Sequence, residues 1–234
     1  MAKPLRARSA AALLAGTCTL AAAGAPGPRH VSFPTQDGGL VHADVYGDGA
    51  RGVVLAHGAR FDKASWSKQA RALAGEGFRV VALDFRGYGD STGPGQADPM
   101  TAPLRYDVLA AVRWLKADGA KTVSAVGASM GGWAVGEAAL AAPGEIERIV
   151  FLASWPERHS PIGELKGRKL FITARDDRDG TGALRLPNIR AAFERAPEPK
   201  RLVLLDGSAH AQFLFETAQG ERLLREIGKF LTEP

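Results

Sequence analysis

Residues 122–133 read Thr122-Val123-Ser124-Ala125-Val126-Gly127-Ala128-Ser129-Met130-Gly131-Gly132-Trp133. The first five form an apolar run of strand length, and from Trp133 onward apolar residues recur at three and four, as on a helix. A strand therefore passes into a helix through Gly127-Ala128-Ser129-Met130-Gly131. In that setting Gly-x-Ser-x-Gly reads as a nucleophile elbow, a sharp turn that glycines permit and that holds the serine side chain strained and exposed. Ser129 then sits at a helix N-terminus, where free N–H groups favour developing negative charge. Small residues packing a tight turn are the competing reading, and the strand-to-helix context decides against it.

Outward from this segment the chain alternates short β-branched runs with longer helical ones. Residues 31–33 and 40–46 flank Asp37-Gly38-Gly39 and predict an antiparallel hairpin, because Asp-Gly supplies the positive φ of such a turn. Residues 52–56, 79–83, 122–126, 146–153, 169–173 and 201–205 are apolar without polar alternation, the pattern of strands covered on both faces. Helical periodicity marks 65–74, 104–117, 133–141, 189–195 and 221–231. In the second of these, Leu109, Ala111, Val112, Trp114 and Leu115 share one face. The sum is an α/β sandwich: a mostly parallel sheet, helices on both faces and an N-terminal antiparallel hairpin.

A serine hydroxyl is a weak nucleophile until a base takes its proton, so a histidine is required later on the same sheet edge. His210 meets the demand, in the loop Asp206-Gly207-Ser208-Ala209-His210 between the last strand and the last helix. His30 and His42 fall on the opening hairpin, and His159 lies in a Pro-containing loop. A carboxylate that orients the imidazole should lie between serine and histidine in the chain. Asp177 is favoured, with Asp176 as the alternate, both in the charged loop after strand 169–173, although such a loop is also what a solvated surface looks like.

The 234 residues, 45% hydrophobic and 24% charged, suffice for one full core. The net charge of +5 arises from dispersed Lys and Arg with acids among them, and no aromatic-basic surface suggests a nucleic-acid partner. Residues 1–8 form a basic n-region and 10–23 an apolar h-region ending in small residues, so 1–23 reads as a signal peptide. Residues 24–30 then serve as a linker and 31–234 as the folded domain, exported to the periplasm or medium. The apolar run is short for a stable membrane span. Cys18, the single cysteine, lies inside this run; lipid anchoring there is disfavoured by Thr17 before it. A cleaved chain would hold no cysteine for disulfide, thiolate metal site or nucleophile.

From about Gly52 to the C-terminus the chain resembles the α/β-hydrolase superfamily, in its lid-less serine esterase or dienelactone-hydrolase-like branch. The marks are His57-Gly58 after the third strand, Asp84-Phe85-Arg86-Gly87-Tyr88-Gly89-Asp90-Ser91 after the fourth, and the elbow after the fifth. The family's Gly-x-x-Asp after the seventh strand corresponds to Ala174-Arg175-Asp176-Asp177, which supports Asp177, with alanine replacing the glycine. The resemblance implies an oxyanion hole from the backbone N–H groups of Met130 and Ala59. It makes His57, Asp84 and Arg86 braces of their loops. Trp66 and Trp155 are read as packing rather than pocket lining.

Only residues 154–168 separate strands six and seven, too few for the lid domain common in the superfamily. Specificity should then rest on loops 60–65 and 93–101. Arg60-Phe61-Asp62-Lys63 brings charge near the oxyanion loop, a weak pointer to a polar or anionic acyl group. The expected reaction is hydrolysis of small carboxylic esters or thioesters through an acyl-enzyme on Ser129, with neither metal nor organic cofactor. Serine rather than aspartate at the elbow argues against the epoxide hydrolase and haloalkane dehalogenase branches, for which the resemblance implies a carboxylate nucleophile. The alternatives are a cofactor-free perhydrolase or haloperoxidase, a peptidase of the same fold, or a non-catalytic small-molecule-binding relative. The sequence does not disclose the oligomeric state.

Overall fold

The computed structural model describes residue 1 and residues 27–156 and 160–233. Residues 2–26, which include Cys18 and nearly all of the expected leader, and His159 lie outside them. Eight strands form one sheet: β1 (Arg29–Pro34), β2 (Leu40–Tyr46), β3 (Arg51–Ala56), β4 (Phe78–Leu83), β5 (Thr122–Ala128), β6 (Arg148–Leu152), β7 (Arg168–Ala174) and β8 (Lys200–Leu205). Their spatial order is β1-β2-β4-β3-β5-β6-β7-β8. The expected hairpin is present, with Val31 opposite Ala43 and Phe33 opposite Val41, and β2 continues antiparallel onto β4. All other pairings are parallel.

The unbroken apolar runs are explained by what lies on either side. Val53, Leu55, Val80, Ala82, Val126 and Leu170 point to one face, beneath α1 (Ser67–Gly75) and α5 (Gly220–Thr232). Val54, Ala56, Val81, Leu83, Ala125 and Phe171 point to the other, beneath α2 (Arg105–Ala117), α3 (Met130–Ala141) and α4 (Leu186–Arg195). Successive strand residues alternate between two dry layers, so neither parity has reason to be polar. Helix α2 packs against α3 as well as the sheet and buries more of its circumference than the expected stripe, including Val108 and Ala110. Trp114 is half-buried, stacked on Phe33 with ring centroids 5.9 Å apart.

Boundaries shift where hydrogen bonding rather than hydrophobicity sets them. Strand β1 begins at Arg29, inside the expected linker, because Arg29 and His30 pair with Val45 and Asp44. Strand β6 starts at Arg148, not 146. Helix α3 starts at Met130, directly after Ser129. The helix expected from 65 opens as a 3-10 turn, Lys63–Trp66, capped by the Asp62 side chain. Among the described residues the β6–β7 connection holds a single 3-10 turn, Ile162–Glu164, and no lid.

From β3 the chain moves through α1 to β4 on one side, whereas β5 lies on the other. The connections leaving the C-terminal ends of β3 and β5 thus diverge, and a crevice opens at this switch point. Residues 57–59 follow β3 and Ser129 follows β5, so topology alone brings them to one place.

Candidate active site

At the end of β5, Ser129 has φ 50° and ψ −118°, a left-handed backbone for a residue with a side chain. Such a conformation costs on the order of 1–3 kcal/mol and persists only when its surroundings fix it. Here the Ser129 N–H donates to Leu152 O at 2.9 Å, and its carbonyl accepts from Gly132 N–H at 2.9 Å and from the Ser154 hydroxyl at 2.7 Å. The flanking glycines are required by contact: a Cβ on Gly127 would lie 2.4 Å from Gly131 O, and one on Gly131 would lie 2.3 Å from Ala56 O.

His210 leaves the loop after β8 and meets Ser129, its Nε2 2.9 Å from Oγ. Its Nδ1 lies 2.8 Å from Asp177 Oδ2. A carboxylate only accepts, so the Nδ1 proton belongs to this bond and Nε2 is left as acceptor for the serine hydroxyl. Asp177 is fully buried, while His210 retains 27% side-chain exposure. Asp176, the alternate acid, is exposed, and its N–H donates to Gly207 O, joining the β7 and β8 loops. The arrangement gives a hydroxyl an adjacent base, and the base an oriented carboxylate.

The N–H groups of Ala59 and Met130 form no hydrogen bond among the described residues, and Ala59 lines the same cleft as Ser129. The loop that carries Ala59 is held from three sides. His57 is buried, donates from Nδ1 to Gly58 O at 2.9 Å and accepts Phe85 N–H at Nε2 at 3.2 Å. Burial holds its pKa below the ordinary imidazole value, which suits an accepting ring nitrogen. Tyr88 packs edge-on against His57 and donates its hydroxyl to Ala59 O at 2.8 Å. Gln212 accepts Gly58 N–H and donates to the Ser65 hydroxyl, tying the segment after His210 to the loop that carries Ala59.

Asp84 accepts from both the backbone and the side chain of Lys63. Arg86 is fully buried and bonds Asp107 on α2 and Asp37 in the hairpin turn, each at 2.6 Å. Burial opposes its charge, yet hydrogen bonds to Asp37 and Asp107 hold its pKa above the usual guanidinium value. All three family-marked residues therefore brace loops, as expected. Trp66 is core, packed against Phe215, and Trp155 is half-buried against the other layer.

The cleft measures about 500 Å³. Its walls include Arg60, Phe61, Met100, Trp133, Arg185 and Phe213. Arg60, Phe61 and Met100 belong to the loops expected to set specificity. Trp133, Arg185 and Phe213 escaped sequence reasoning: Trp133 looked like one more helix residue, and Phe213 stood in a 3-10 turn, Ala211–Glu216, that carries no clear periodicity. Arg185 had one available signal, its place a few residues beyond the charged loop that holds Asp177. Ser154, which pins the elbow, had none.

Residues 53–230 match the model of the alpha/beta hydrolase family, and the chain belongs to that family. Among its relatives, an uncharacterized protein of Mycobacterium tuberculosis is 29% identical over 246 aligned positions, covering 94% of this chain and 84% of that one. Epoxide hydrolase B of the same organism is 58% identical over 40 residues, 17% of this chain and 11% of that protein. The bifunctional epoxide hydrolase 2 of Rattus norvegicus is 42% identical over 52 residues, 22% of this chain and only 9% of the rat protein. Among solved structures, an esterase from Exiguobacterium antarcticum superposes with TM-score 0.70 at 14% identity, covering 88% of this chain and all of that one. An epoxide hydrolase from Vigna radiata gives 0.71 at 18% identity, covering 88% and 98%. The fold is thus shared with both kinds of hydrolase, and hydrolysis is the activity common to these neighbours.

Proposed function

We propose that the protein is a serine hydrolase that cleaves small carboxylic esters or thioesters through an acyl-enzyme on Ser129. The observation that carries this reading is the continuous chain of contacts Ser129 Oγ, His210 and Asp177, at 2.9 and 2.8 Å. In the proposed step His210 Nε2 takes the hydroxyl proton as Oγ bonds to the acyl carbon. The carbonyl electron pair moves to oxygen, where the N–H groups of Ala59 and Met130 receive it. Collapse expels the alkoxide, which leaves with the proton from His210, and water repeats the sequence to release the acid.

The epoxide hydrolase relatives raise oxirane opening as a second reading. Serine at position 129, with histidine on its hydroxyl, favours acyl transfer, since the family resemblance assigns a carboxylate nucleophile to that branch. Hydrolysis of p-nitrophenyl esters from acetate to palmitate, beside styrene oxide, separates the two. The expected result is ester turnover that Ser129→Ala lowers by about 10⁴ or more. Turnover of the epoxide alone, or inertness to every ester and to a fluorophosphonate probe, overturns the reading. We propose export as well, on the pattern of residues 1–23; the intact mass of protein recovered outside the cytoplasm tests it.

A further inference from the structure

The charged groups around the cleft are unbalanced. Arg60 and Arg185 line it, and among the described residues no aspartate or glutamate does. The carboxylate beside it, Asp177, is fully buried behind His210 and gives Oδ2 to that ring. Its Oδ1 lies 3.5 Å from Arg185 Nε, an ion pair without a hydrogen bond. Among the described residues the Arg185 side chain makes no hydrogen bond, although only 19% of it is exposed. Asp179 is occupied elsewhere: hydrogen bonds from Thr181 and from the Ala183 N–H hold its carboxyl below the usual range, and Arg185 contributes least.

Arg185 is nevertheless held in place. Its N–H donates to Asp177 O at 2.9 Å, Arg178 bridges to Leu184, and Asp179 N–H closes the turn on Ala183 O. A planar, always-charged fork whose outer nitrogens make no hydrogen bond among the described residues, lining the same cleft as Trp133, Met100 and Phe213, is suited to a carboxylate, for which it offers paired donors. Were its task only to steady Asp177, neither placement in the cleft nor free terminal donors would be needed.

We propose that Arg185 binds an anionic group on the substrate, so that the esters taken are those bearing a carboxylate near the scissile bond; this rests on the serine hydrolase reading above. The test compares kcat/KM for p-nitrophenyl pentanoate with two charged analogues, mono-p-nitrophenyl glutarate and 4-carboxyphenyl butyrate. The enzymes are the wild type, Arg185→Met and Arg185→Lys. The ratio of charged to neutral ester is expected to fall about tenfold or more in Arg185→Met for at least one analogue and to recover partly in Arg185→Lys. Which analogue responds tells whether the anion lies on the acyl or the alcohol side.

A ratio indifferent to Arg185, whether all esters slow together or none does, overturns the proposal and leaves the hydrolase standing. If Arg185→Met fails to fold, the wild type decides: a preference for a charged ester that rising salt erodes supports the proposal, and no such preference overturns it. Monomethyl glutarate binding to Ser129→Ala, followed by calorimetry, gives the complementary case. Binding that is lost in Ser129→Ala/Arg185→Met, in a chain inert to every ester, keeps the anion site and sinks the hydrolase.

Discussion

Asp177 gives one carboxylate oxygen to His210 and turns the other toward Arg185, with no water-exposed surface of its own. Its hydrogen bond among the described side chains goes to the imidazole, with the Arg185 guanidinium as counter-charge on the other oxygen. Asp177→Asn keeps the shape but presents either an N–H to Nδ1 or a weaker acceptor, and the tautomer that frees Nε2 is lost. A drop in kcat of about 10⁴ is expected, with KM nearly unchanged, read from initial rates on the ester that Ser129→Ala fails to cleave. Asp176→Asn should leave kcat within about twofold, since that side chain is solvated. At this scale Ser129 and His210 were legible from motif and chain order. The choice between Asp176 and Asp177 rested on position in the loop and was supported by family resemblance, because adjacent loop residues differ by which one the backbone turns inward, and no periodicity records that.

The strand-to-helix turn is where packing and chemistry meet. Gly131 lets α3 approach β3 so closely that the Ala56 carbonyl occupies the space of a side chain. Gly131→Ala must push the helix start away from the sheet, and a backbone oxygen cannot swing aside as a flexible side chain would. Destabilisation of about 1–3 kcal/mol is expected, read as a lower urea midpoint with unchanged slope, together with a fall in kcat because Met130 N–H moves with the helix. Elements were the most legible level: all eight strands and five α-helices of the described residues stand where apolar runs and periodicity indicate. The 3-10 turns were not, because Lys63–Trp66 and Ala211–Glu216 are set by loop hydrogen bonds such as Asp62 to Ser65 N–H and Gln212 to Gly58 N–H. The loop that carries Ala59 and the histidine loop are thereby locked together by a contact between residues 154 apart in sequence.

For the molecule as a whole, stability should carry the signature of His57. Burial lowers its folded pKa beneath the unfolded value, so the unfolded chain binds the extra proton as pH falls below about 6.5. Its contribution is complete above that pH and declines below it until the folded pKa is reached, at most about 1.4 kcal/mol per pH unit. Urea midpoints between pH 7.5 and 5 should therefore fall more steeply for the wild type than for His57→Gln; parallel curves would remove His57 from the account. The sheet order was not readable from strand count, since an apolar run states that a strand is covered on both faces and not which neighbour it joins. The switch point between β3 and β5 became visible only in three dimensions. Ser129 closes the circle between site and whole. Its backbone occupies a region that glycine enters without penalty, so the chain would gain stability by giving up the residue on which the proposed chemistry depends. A population of variants screened for heat resistance alone should drift toward glycine at this position and lose the proposed turnover as it hardens.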